Sequence, residues 1–157
     1  MENHMTFSVN DKCDTNKQIN FSENVGYTAK AHTTGGRDGS SSRTSDGRLD
    51  ITLSLPGKPG HGTNPEQLFA AGWSACFLSA MKIAAGKRRV RFPAEAAVDA
   101  EVDLCADGED YFLQARLNVS LPGIDPVIAR AIADDSHLIC PYSKATHGNI
   151  AVITTVM

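Results

Sequence analysis

Four cysteines, Cys13, Cys76, Cys105 and Cys140, are the side chains here most able to do covalent chemistry. Cys76 interrupts the apolar run of NPEQLFAAGWSACF, residues 64–77, and Cys140 stands before a proline in HLICPYSKA. A free thiol with a pKa of about 8.5 is only a few per cent thiolate near neutrality, so a reactive cysteine needs a cation or a helix N-terminus beside it. Backbone N–H groups of a short turn from Pro141 to Thr146 could serve Cys140 in that way. Each thiol also has a plain structural reading. A cysteine on an apolar helix is usually a small buried hydrophobe, and a small residue at a tight corner needs no further reason. Charge shifts the balance. Arg37 lies in GGRDG, where glycines let the backbone fold closely around a side chain, and Glu66 lies in the first turn of the helix that carries Cys76. Taken singly, they are a solvated loop arginine and a carboxylate at the positive helix end, the latter worth under about 1 kcal/mol. Taken together, a guanidinium near Cys76 would lower its pKa and a carboxylate would hold that guanidinium in place. Cys13, in a polar leading segment, and Cys105, on the polar face of a strand beside a turn, read as incidental.

The whole chain must supply the scaffold. At 157 residues with 41% hydrophobic content it has the size of one domain with a real core. We expect residues 1–20 to be a flexible polar extension and residues 21–157 to form that domain. The net charge of −3 argues against nucleic acid as a partner; KRRVR, residues 87–91, is short and lacks interleaved aromatics. Residues 1–20 hold no continuous apolar run, so neither an export signal nor a membrane span is expected. We therefore expect a cytoplasmic protein, in which paired structural disulfides are less expected than free thiols.

Alternating residues predict a strand over VGYTAKAH, from Val25, and a hairpin of SSSRTS with RLDITLSL about Asp46-Gly47. Asn64 as N-cap, Pro65 at the first position and Gln67 completing a capping box open a long helix that Gly86 should close. From Pro65 to Ala85 it would run about 31 Å at 1.5 Å per residue. It is apolar almost all round, so it must be covered on several sides, and one sheet in so small a domain leaves part of it for a partner subunit. Val98 to Cys105 and Tyr111 to Leu121 predict a second hairpin about Asp107-Gly108. A helix from Asp125-Pro126 to about Ile139 and a strand in NIAVITTV end the chain. The class is α+β, with mostly antiparallel sheet.

Three blocks, YTAKAHTTGGRDG, GTNPEQLFAAGWSACF and CPYSKATHGN, resemble in type and order the signature blocks of the organic hydroperoxide resistance (Ohr) branch of the Ohr/OsmC thiol peroxidases. The resemblance runs from about Tyr27 to the C-terminus. It implies an intertwined homodimer with mostly antiparallel sheets packed around long central helices, reducing organic hydroperoxides without a bound cofactor or metal. It assigns Cys76 as the peroxidatic cysteine, Cys140 as the resolving one, Arg37 as the residue activating the thiolate and Glu66 as its partner. It further implies a dithiol reductant, a lipoylated protein. Phe69, Trp73, Phe77, Leu138 and Ile139 are candidates for an apolar substrate wall, each also explicable as core. Where relatives commonly read Gly-Tyr-Ala-Ala-Cys-Phe this chain carries Trp73 and Ser74, and its polar extension before Tyr27 is longer. Helix geometry adds a constraint. Glu66 and Cys76 are ten positions apart, about 15 Å along the axis, so the simplest arrangement brings Arg37 and Glu66 to Cys76 from the opposite subunit. Rival readings are an OsmC-type peroxidase with broader peroxide use, a non-catalytic thiol redox sensor, and a metal site from Cys76, Cys140, His137 and His147, which lacks the close Cys/His pairs of zinc sites.

Overall fold

The computed structural model describes residues 21–157; the extension and Cys13 lie outside them. Its elements are β1 (Ala31–Thr34), β2 (Ser40–Thr44), β3 (Asp50–Leu53), α1 (Pro65–Lys87), β4 (Ala97–Asp107), β5 (Asp110–Ser120), α2 (Pro126–Ile139), α3 (Pro141–Thr146) and β6 (Ala151–Val156). They form two three-stranded sheets, β1-β2-β3 and β4-β5-β6, antiparallel throughout except for the β5–β6 pair. That parallel pair is joined by the crossover through α2 and α3, as a parallel connection requires.

Much of this follows from local signals. Asn64 caps α1 through its side-chain oxygen, which accepts from the Gln67 N–H at 2.8 Å. Only half of the expected capping box forms, because the Gln67 side chain instead accepts from the Thr63 hydroxyl at 2.6 Å. The Asp46-Gly47 turn closes the β2–β3 hairpin, with Asp46 accepting from the Thr44 hydroxyl at 2.6 Å and Gly47 in the left-handed region at φ 69°. Between β1 and β2 the glycines are required sterically. Gly35 has φ 72°, and a Cβ there would stand 2.9 Å from the Cβ of Ser40. Arg37 therefore rides on a turn that only glycine permits.

Two expectations are corrected. The strand predicted from Val25 begins only at Ala31, and Val25 and Tyr27 are exposed. A strand needs a neighbour: β2 ends at Thr44, and Ser45 N–H to Lys30 C=O at 3.0 Å is the last bond the ladder can make. The long helix does not stop at Gly86 but runs to Lys87, with Arg89 in the left-handed region at φ 57°. Val90 decides this. Its N–H bonds the Ala85 carbonyl at 2.9 Å, and its side chain packs on the core, so the terminating motif is set one turn later with arginine where glycine is favoured.

The core lies between α1, α2 and the β4-β5-β6 sheet. Trp73, Phe77, Met81, Leu117, Val119 and Ile132 are its largest fully buried apolar side chains. By length and composition alone α1 could cross a bilayer, yet it packs against β4, α2 and α3 as a core helix does. Only a third of its most apolar window is covered within the protomer. Ala71, Ala75, Ser79 and Ile83, spaced four apart, form its exposed stripe. The β1-β2-β3 sheet makes no substantial contact with either the helices or the second sheet; a parallel bridge from Leu53 to Thr63 ties it to the start of α1.

Replacing Arg89 by glycine is expected to stabilise the protein by about 0.5–1 kcal/mol, since relief of left-handed strain exceeds the entropy glycine adds to the unfolded chain. A urea midpoint that is unchanged or lower in Arg89→Gly would contradict this reading of the helix end.

Candidate functional site

Cys76 and Cys140 are brought together. Cys76 lies half-buried on α1, and Cys140 lies fully buried at the corner where α2 gives way to α3. Their sulfurs are 3.0 Å apart, Cys140 Sγ donating to Cys76 Sγ. A disulfide would need about 2.05 Å, so both thiols are free but within a small motion of bonding. The corner is built by rule. Pro141 excludes a helical Cys140, whose backbone is extended at φ −64° and ψ 119°. The Cys140 N–H still closes the last turn of α2 on the Ser136 carbonyl at 2.8 Å, and its own carbonyl opens α3 by accepting from Lys144 N–H at 3.0 Å.

The turn that follows serves the other sulfur. Cys140 makes no side-chain capping bond to α3; the backbone N–H of Tyr142, in its first turn, instead acts on Cys76. That contact favours the Cys76 thiolate, but burial, the largest influence, outweighs it and pushes the Cys76 thiol above its ordinary value. The expected cation is not on hand within the protomer. Arg37 is bound to Glu66 in a two-pronged pair, Nη1–Oε2 2.9 Å and Nη2–Oε1 2.7 Å, at the N-terminal end of α1. Those hydrogen bonds hold the buried Glu66 carboxyl below its usual range despite desolvation, so the pair stays ionised through mild acid.

The five expected wall residues separate. Trp73 and Phe77 are fully buried core in this conformation, Trp73 donating from Nε1 to the Ser143 hydroxyl at 3.1 Å and Phe77 lying 4.7 Å from the His137 ring. Phe69 is partly buried, Ile139 is partly buried, and Leu138 is exposed. Sequence reasoning missed Tyr142, whose ring stands 5.8 Å from Phe69 and over Gly72, one helical turn before Cys76. A Cβ on Gly72 would fall 2.8 Å from the Tyr142 hydroxyl. A glycine one turn from a reactive cysteine was the available signal, since it marks a place where something approaches a helix closely. Cys105 is half-buried opposite Phe112 in the second hairpin, apart from this cluster. Both ring nitrogens of His137 are engaged by hydroxyls, Nδ1 with Ser143 at 3.2 Å and Nε2 with Thr154 at 2.8 Å, rather than facing the sulfurs. The described residues hold no group of three His, Cys, Asp or Glu able to bind a metal ion.

Residues 55–155 match the family described as OsmC-like protein. The chain is 42% identical over 137 residues to the organic hydroperoxide resistance protein of Xanthomonas axonopodis pv. citri, covering 85% of this chain and 96% of that one. Among solved structures it is similar to the organic hydroperoxide resistance protein OhrB of Bacillus subtilis, at 34% identity and a TM-score of 0.78, covering 83% of this chain and 98% of that one. It is similar also to an organic hydroperoxide resistance protein of Vibrio cholerae solved with captopril in one of its active sites, at 35% identity and a TM-score of 0.79, covering 88% and 96%.

Mild oxidation of the purified protein is expected to remove two thiols per chain and to link Cys76 to Cys140 within one chain, leaving Cys105 alkylatable. Peptide mass mapping after alkylation reads this directly; a cross-link through Cys105 as the main product would refute the geometry.

Proposed function

We propose, starting from the fact that the chain belongs to the OsmC-like protein family and to its organic hydroperoxide resistance branch, that it is a cysteine-based peroxidase reducing organic hydroperoxides to alcohols. The observation that carries the reading is the pair of free sulfurs 3.0 Å apart, one half-exposed and one buried. The Cys76 thiolate attacks the distal oxygen of ROOH; the O–O bond breaks, sulfur is oxidised to Cys76–SOH, and the alkoxide leaves and takes a proton as ROH. The Cys140 thiol then attacks Cys76–SOH, forming the S–S bond and releasing hydroxide, which leaves with the Cys140 proton as water. A dithiol donor, in our reading a lipoyl group on a protein, reduces the bond by exchange and becomes a cyclic disulfide. Recycling of this kind suits a reducing cytoplasm. No step calls for a metal, haem or flavin.

The cycle needs a thiolate, and the protomer alone pushes Cys76 towards the thiol. We therefore place the activating cation across a homodimer. Antiparallel packing of two α1 helices along the exposed Ala71, Ala75 and Ser79 stripe would cover the uncovered side of that helix and bring the Arg37–Glu66 pair of the partner subunit to Cys76. The β1-β2-β3 sheet, which has no layer against it in its own chain, gains one in the same step. Arg37 would there stabilise both the thiolate and the charge developing on the leaving oxygen. Phe69, Tyr142, Leu138 and Ile139 offer apolar surface around the sulfurs for the alkyl part of the substrate.

Cys76→Ser is expected to abolish reduction of cumene hydroperoxide with dihydrolipoamide. Cys140→Ser should instead give a single turnover that stops at sulfenic acid. Mixed dimers of Cys76→Ser and Glu66→Ala chains should regain part of the activity that each parent lacks, because one composite site in the pair is intact. Arg37→Ala should move the pH at which Cys76 is alkylated upward by about one unit or more. No recovered activity in the mixture, together with an unmoved alkylation profile, would sink the shared site.

A further inference from the structure

Behind the two sulfurs runs a chain of hydrogen bonds, buried at Trp73 and Ser143 and partly buried at His137 and Thr154, that the reaction itself does not use. Trp73 Nε1 donates to Ser143 Oγ at 3.1 Å, Ser143 Oγ lies 3.2 Å from His137 Nδ1, and His137 Nε2 lies 2.8 Å from Thr154 Oγ1. It links α1, α3, α2 and β6 in turn, and Cys140 sits midway along the corner that it spans, three residues after His137 and three before Ser143. We propose that neutral His137 is the positioning residue for Cys140: it clasps α3 to α2 and β6 through Ser143 and Thr154, keeping the second sulfur within reach of oxidised Cys76, and its protonation loosens the corner and slows disulfide closure. The proposal rests on the peroxidase reading and concerns only its second step, Cys140–SH plus Cys76–SOH giving the disulfide and water.

Donor and acceptor counting gives the direction. Trp73 Nε1 can only donate, so Ser143 Oγ accepts there and has its own hydrogen for one further partner. Neutral His137 supplies that partner when Nδ1 accepts and Nε2–H donates to Thr154, and Trp73, Ser143 and His137 are all satisfied. A second proton on the ring makes Nδ1 a donor as well. Ser143 then receives two donors, and its own hydrogen is left without an acceptor among the described residues, at a nearly enclosed position. The groups around the ring act unequally. Phe77 from α1, Ser143 from α3 and Thr154 from β6 are uncharged; Asp134 favours the charged ring, while Arg130 and His147 oppose it. Burial dominates and lowers the pKa from 6.5, so the clasp is intact at neutral pH and titrates below that value. Trp73 stands at a position where the resemblance leads one to expect tyrosine, so the Trp73 end of the chain is a feature of this sequence.

The test separates the two chemical steps in single turnovers with one equivalent of cumene hydroperoxide, following sulfenic acid by trapping and disulfide by loss of thiols. His137→Asn keeps an acceptor near the place of Nδ1 but cannot titrate; His137→Phe removes it. Disulfide closure in His137→Asn should stay within about twofold of wild type near pH 7.5, whereas in His137→Phe it should fall about tenfold, with sulfenic acid formation unchanged in both. On acidification to about pH 4.5, closure in wild type should fall by several-fold more than in His137→Asn, because only wild type loses the clasp. Ser143→Ala, a small change, should reproduce the slow closure of His137→Phe and covers the case in which that variant does not fold. Closure at wild-type rates in both Ser143→Ala and His137→Phe, or an acid response in His137→Asn equal to that of wild type, would overturn the proposal. If wild type instead forms no sulfenic acid or no Cys76–Cys140 disulfide, the peroxidase reading fails and takes this one with it.

Discussion

A gap of 3.0 Å between two sulfurs on different elements is the constraint around which the protomer is arranged. Cys76 is fixed by a long helix whose position is set by Trp73, Phe77, Met81 and Ala84 packing into the core. Cys140 is itself buried in that core. It lies at a proline-forced break, and its placement depends on the angle between α2 and α3 and on the docking of both against α1. On the proposed cycle, an error of one ångström there would leave a sulfenic acid with no thiol to meet it. The partly buried Trp73–Ser143–His137–Thr154 chain is therefore well placed: directional hydrogen bonds fix an angle more narrowly than apolar packing does, provided that every member is satisfied.

The protomer keeps its thiols and its spare cation apart. One end of α1 carries the Arg37–Glu66 pair, the middle carries Cys76, and helix geometry separates them by about 15 Å. The uncovered stripe of α1 and the unbacked β1-β2-β3 sheet fall on the parts of the chain that would have to meet a second copy. Ala71, Ala75 and Ser79 are small, so two helices could approach closely there and shorten the reach between one chain's arginine and the other's sulfur.

What could be read from sequence was what is decided locally. The Asn64-Pro65 start, the Asp46-Gly47 turn, the alternation through Val98–Leu121 and the Asp125-Pro126 helix start all appear where expected, because each is set by residues within one turn or one strand pair. Misreadings arose where a distant neighbour decides. Val25 alternates like a strand residue but lacks a ladder partner, and Gly86 looked like a helix stop until Val90 found the core. At the site, the residue types of Cys76, Cys140, Arg37 and Glu66 drew attention, and the blocks around them made the family legible. That the Tyr142 N–H favours the Cys76 thiolate was not legible, since it depends on how α3 lies against α1. Neither was the bond between Trp73 and Ser143, 70 positions apart.

The electrostatics of the single chain give the dimeric reading its force. Within the protomer, burial opposes ionisation of Cys76, and the backbone N–H of Tyr142 favours it without offsetting that burial. In the proposed cycle a neighbouring thiol is needed for the second step and a partly dry setting protects the sulfenic acid, yet that dry setting disfavours the thiolate needed for the first step. A cation resolves the conflict only if it can be brought up without adding water. An arginine held by a buried carboxylate meets that requirement, since Glu66 fixes the guanidinium in advance and leaves its other edge to face a sulfur. On the proposed dimer, supplying it from a second chain would make thiolate formation depend on assembly, so a lone protomer would hold Cys76 as a comparatively inert thiol.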